Sequence, residues 1–72
     1  MDYIREAAFE MRISLSELAR RLDMTPQRLE YFRRTKPTEK MCVQIEKMTN
    51  GVVTRKMLRE HDYIEIWPEL GD

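Results

Sequence analysis

The sequence predicts an all-α fold of four to five short helices, followed by a short extended C-terminal tail. Three observations carry this expectation. Apolar residues recur at three- and four-residue spacing in successive short windows, as the inward stripe of a helix requires. A Ser, Thr or Asp stands just ahead of each window, where its side-chain oxygen can accept from the unpaired amides of a first turn. Residues that end helices separate the windows: Asp23, Pro37 and the pair Asn50-Gly51.

The first helix is predicted over about Tyr3 to Arg12, with Asp2 as its N-cap and Ile4, Ala7, Ala8 and Met11 on its apolar face. Ser14-Leu15-Ser16-Glu17 fits a capping box, with a hydroxyl at the N-cap and a carboxylate three residues on. Leu15, Leu18, Ala19 and Leu22 then form the stripe of the second helix. After a break at Asp23-Met24, Thr25 caps a third helix and Pro26 occupies its first position, where no amide donor is needed. Leu29 and Phe32 face inward, and Pro37 limits this helix to about Arg34. Thr38 caps a fourth helix over about Glu39 to Met48, with Met41, Cys42, Ile45 and Met48 at helical spacing. Asn50-Gly51 supplies left-handed residues to stop it. Thr54 caps a fifth, about Arg55 to Glu60, with Met57 and Leu58 inward. The tail, HDYIEIWPELGD, alternates Tyr63, Glu65 and Trp67 against Ile64 and Ile66. It reads as a short strand, an arm packed on the domain, or an arm crossing to a partner.

Seventy-two residues bury only a modest core, which favours compact helical packing or oligomerisation. Residues 1–60 therefore read as one domain and residues 61–72 as an acidic, aromatic tail. No apolar run is long enough for a membrane span, and the charged start, Met1 to Glu6, does not resemble a secretory leader. The single cysteine, Cys42, cannot form an internal disulfide, which fits a reducing cytoplasm. The formal net charge is zero, but residues 1–60 carry +4 and residues 61–72 carry −4. A basic body suits nucleic acid; a solvated mixed-charge surface explains the same composition.

Two helices joined by a turn of about three residues have the form of a helix-turn-helix, here residues 14–34. Ala19 is small where the two helices approach, and Met24 is the apolar turn residue. The third helix then presents Gln27, Arg28, Glu30, Tyr31 and Arg34 outward. Arg pairs with guanine and Gln with adenine across the major groove, and Tyr reaches a phosphate or a thymine methyl. Thr25, Gln27, Arg28 and Tyr31 are the expected base readers. Ser16, Arg34, Lys36 and Lys40 are expected at phosphates. Glu30 is expected to pair with Arg34 one turn on, orienting it. Arg20 and Arg21 are expected to be solvated. A plain helical hairpin in a small bundle is the competing structural explanation.

The segment SLSELARRLDMTPQRLEYFRR resembles the Cro/CI-type helix-turn-helix of phage and prophage regulators, a lambda-repressor-like arrangement. MCVQIEKMTNGVVTRKMLRE, followed by IWPEL, is similar to the C-terminal half of the YdaS-like branch. The resemblance spans about Ser14 to Leu70. It implies a DNA-binding transcriptional regulator, usually a homodimer on a double-stranded operator, with some members classed as antitoxins. Two departures stand out. Asp23 occupies a turn position where Gly is common, and Leu15 stands where a phosphate-contacting Gln is common. Tyr63, Ile64, Ile66 and Trp67 are candidate dimer contacts.

No catalytic or metal-binding set emerges. One His and one Cys, His61 and Cys42, cannot hold zinc, and Ser14, Ser16 and Thr25 read as caps. The expectation is a non-enzymatic regulator without cofactor, in the bacterial cytoplasm and associated with the nucleoid. An antitoxin or adaptor acting through a protein partner is the alternative.

Overall fold

Side-chain oxygens set the starts of the first five helices. A computed structural model describes residues 2–71. In it Asp2 caps α1 (Tyr3–Glu10), Ser14 caps α2 (Leu15–Arg21) and Thr25 caps α3 (Pro26–Arg34). Thr38 caps α4 (Glu39–Met48) and Thr54 caps α5 (Arg55–Leu58). Each accepts from a backbone amide three residues on, at 3.0–3.2 Å. The capping box at Ser14 forms only by half. The Glu17 carboxylate turns outward to Arg20 at 2.7 Å and Arg21 at 3.2 Å. Those two arginines are exposed, as expected, but paired.

All described secondary structure is helical, and the tail is too. Residues expected to be extended form α6 (Tyr63–Ile66) and a single 3-10 turn (Pro68–Leu70). The cause is Trp67, whose ring is buried with the Arg55 guanidinium 5.3 Å from its centre. Turning the chain back to seat that ring requires closed turns rather than a strand. Asp72, the last residue of the tail, lies outside the described residues.

Two helix ends fall short of the sequence expectation. α1 stops at Glu10 because Ile13 turns inward against the core, and its amide reaches back to the Ala8 carbonyl at 3.0 Å. That closure places Arg12 in the left-handed region, φ 58°. α5 stops at Leu58 because the Arg59 guanidinium reaches the Pro37 carbonyl at 2.7 Å and grips Asp62.

Between α2 and α3, Asp23 has φ 60°, the left-handed geometry expected where Gly is common. The Met24 amide closes the turn on the Ala19 carbonyl at 3.0 Å. A β-branched residue would be strained here, so Asp23→Val is expected to cost on the order of 1–2 kcal/mol in a urea titration. An unchanged midpoint would argue against this turn geometry. Asn50 and Gly51 are both left-handed, φ 54° and 83°, and end α4 as anticipated.

The core collects Ile4, Ala7 and Ala8 from α1, Leu18 and Ala19 from α2, Leu29 and Phe32 from α3, and Met41 and Ile45 from α4. Leu22 and Val53 complete it from connecting segments. Thr49 is the one buried polar residue among those described. Its hydroxyl donates to the Ile45 carbonyl at 2.9 Å and accepts from the Val53 amide at 3.1 Å. The turn that carries Val53 into the core is thereby fastened to the end of α4.

Candidate nucleic-acid interface

Burial of Leu29 and Phe32 fixes the roll of α3 and with it the set of side chains that face outward. With those two side chains inward, Gln27, Arg28, Tyr31 and Arg34 are exposed. Thr25 is also exposed; its oxygen accepts the Arg28 amide at 3.2 Å and its hydroxyl proton remains available. Arg28 is half-anchored: its guanidinium carbon lies 5.3 Å from the centre of the Phe32 ring. Such cation–π contact restricts a long side chain without consuming its N–H donors. Tyr31 meets the same ring edge-on, with 5.3 Å between centroids. Phe32 therefore serves both the core and the orientation of two outward groups.

Charge pairing divides the cations into two sets. Among the described residues, Arg28, Arg34 and Lys40 enter no ion pair, and neither do Arg5, Arg12, Lys47 and Lys56, which lie outside α3. Lys36 lies 3.9 Å from Asp62, a loose contact with an exposed amine. Arg55 and Arg59 are held by Glu46 and Asp62 at 2.9 and 2.7 Å and belong to the scaffold. Arg28 and Lys40 line one groove with Thr38 and Gln44, between α3 and α4. Ser16, Gln27 and Glu30 line a second, between the start of α2 and α3. The structure thus brings Ser16 beside α3, whereas Lys36 sits past its end.

The Glu30–Arg34 pair does not form. Glu30 bonds Arg33 instead, at 2.8 and 3.1 Å to one guanidinium nitrogen. Arg33 is 21% exposed and is drawn to the inner side by Asp2, whose carboxylate it meets at 2.6 and 2.8 Å. The three-residue spacing suits a helical pair as well as the four-residue spacing does, and the distant anchor decides between them. Arg34 is left free, and Arg33 is removed from the exposed cations.

Asp2 has opposing influences on its proton. Burial pushes its carboxyl up, but the Arg33 hydrogen bonds and charge and the Arg5 amide outweigh burial, so it sits below the ordinary value of 3.8. A depressed folded-state value gives stability that is present above the unfolded value and lost as pH falls through the folded one. Asp2→Asn keeps a capping oxygen but not the charge. Its unfolding midpoint is expected to fall below wild type at neutral pH and to converge with it below about pH 3.8. A constant difference down to pH 2 would refute this account.

The tail aromatics are divided by their packing. Trp67 is covered within its own chain, Tyr63 and Ile66 are half-buried, and Ile64 is exposed. Lys56 stands 5.5 Å over the Tyr63 ring. Phe9 on α1 is 77% exposed and was not marked by the sequence, since it falls off the helical stripe. Cys42 is fully buried, and burial pushes its thiol up to about 11, so it stays protonated at neutral pH. His61 is exposed. No helix among the described residues is long and apolar enough to cross a membrane.

The chain matches no family model, no curated protein and no solved structure.

Proposed function

We propose that this chain is a sequence-specific DNA-binding transcriptional regulator of Cro type, similar to the YdaS-like branch. It represses a phage or prophage promoter by occupying its operator. One observation carries this reading: the exposed face of α3 gathers amide, phenol and guanidinium donors, with Arg28 and Arg34 unpaired by any carboxylate among the described residues. Thr25, Gln27, Arg28 and Tyr31 meet base edges, while Ser16, Arg34, Lys36 and Lys40 meet phosphates. Two copies place their α3 helices in successive major grooves, about 34 Å apart, on an inverted repeat. The protein works without cofactor or catalysis, in the bacterial cytoplasm and on the nucleoid.

Selection of bound sequences from a random duplex pool tests this. Enrichment of an inverted repeat with half-sites one helical turn apart is expected, with affinity falling steeply as salt rises. Recovery of an unenriched pool would remove the regulator reading.

A second reading has an observation of its own. Phe9 and Ile64 are large apolar side chains more than half exposed, as a protein-binding surface would have them. An antitoxin or adaptor would co-purify with a stoichiometric protein partner and show no DNA preference.

A further inference from the structure

Glu30 is the one acid on the outward arc of α3, and its pairing leaves it unspent. Both carboxylate oxygens engage the same Arg33 nitrogen, so each keeps a free lone pair. The Glu30 side chain is 45% exposed, beside Gln27 and Ser16 in the groove that separates α3 from the start of α2. Arg33 cannot follow it outward, because Asp2 fastens the other face of the guanidinium across 31 residues of sequence. The chain Asp2–Arg33–Glu30 thus holds a carboxylate in a fixed attitude at the edge of the exposed face. Asp2 also caps α1, so its charge is partly answered by the start of that helix and the Glu30 carboxylate shares Arg33 with it.

We infer that Glu30 is a base-reading residue for cytosine, accepting a hydrogen bond from the exocyclic N4 amino group in the major groove. This inference rests on the proposed DNA-reading function of α3 and adds a member to its reading set. A carboxylate has only acceptors, so it is matched by an amino donor and repelled by guanine N7 and O6 and by thymine O4. Adenine also offers an amino group, but its adjacent N7 acceptor opposes a second carboxylate oxygen. Arg33 is the positioning residue: it fixes the carboxylate and offsets its repulsion from phosphates without itself reaching the groove.

The test compares random-pool selections by the wild-type chain and by Glu30→Gln. The wild type is expected to enrich cytosine at one position of each half-site. Glu30→Gln, close in shape and still able to accept from Arg33, is expected to lower that preference about tenfold and leave the other positions unchanged. Glu30→Ala, which frees the same face, is expected to lose it as well. Identical preferences for all three chains at every position would overturn the role of Glu30 while leaving the regulator reading intact. An unenriched wild-type pool would overturn both. Thermal unfolding of the variants separates lost reading from lost folding. A variant that melts below the selection temperature is replaced by the other.

Discussion

Leu18→Ala is expected to remove a large share of the domain's stability. Leu18 is fully buried at the centre of α2, in one cluster with Leu29, Phe32, Met41 and Ile45. Truncating such a leucine costs about 2–5 kcal/mol, combining lost burial with the cavity left behind. A domain of this size has about 0.05–0.15 kcal/mol of stability per residue, so the loss rivals the total. The melting temperature should fall by about 10 °C or more, read by far-ultraviolet circular dichroism. Leu15→Ala, three residues earlier and only half-buried, should cost much less. Equal effects from the two would mean that α2 is not rolled as described.

On the proposed DNA-binding function, Arg28→Ala is expected to relax base choice at one position of each half-site rather than abolish binding. The guanidinium is exposed, unpaired and steadied by Phe32, so its donors are available without rearrangement. A bidentate contact to guanine discriminates by about 1–3 kcal/mol. The expected result is therefore about a tenfold loss of preference at that base pair. Lys40→Ala should behave differently, weakening all duplexes alike and reducing the slope of log affinity against log salt by about 1. Titrations of a selected duplex and its single-base variants at two salt concentrations distinguish these patterns. If Arg28→Ala behaves like Lys40→Ala, Arg28 contacts phosphate instead of a base.

Much of the fold was legible because it is locally encoded. Ser14, Thr25, Thr38 and Thr54 each act on an amide three residues away, so the caps can be read from short windows. The left-handed residues Asp23 and Asn50-Gly51 are likewise announced by residue type. What escaped reading depends on distant partners. Arg12 is left-handed only because Ile13 packs into the core, and nothing in an arginine signals that. The tail alternates like a strand over five residues, yet a tryptophan docking against Arg55 turns it into helix. Val53 was not distinguishable from Val52 by pattern, although one is buried and the other exposed.

The candidate site divides in the same way. The outward positions of α3 follow from helical period once Leu29 and Phe32 are inward, and the sequence supplies that. The partner of Glu30 does not follow, because it is settled by Asp2. With Glu30 paired to Arg33 rather than to Arg34, Arg34 enters no ion pair and Arg33 is withdrawn from the exposed cations.

The bridge from Asp2 to Arg33 also bears on how the chain reaches its folded state. No described helix exceeds ten residues, and helices of that length are marginal on their own in water. The far end of α3 is tied to the start of α1 by a contact 31 residues apart in sequence. A single cooperative unfolding transition, coincident by circular dichroism and by tryptophan fluorescence, is the expected outcome for a domain built this way. A synthetic peptide covering Thr25–Arg34 would carry every exposed side chain of α3 and its cap, but without the contacts to Asp2 and the core that hold the helix.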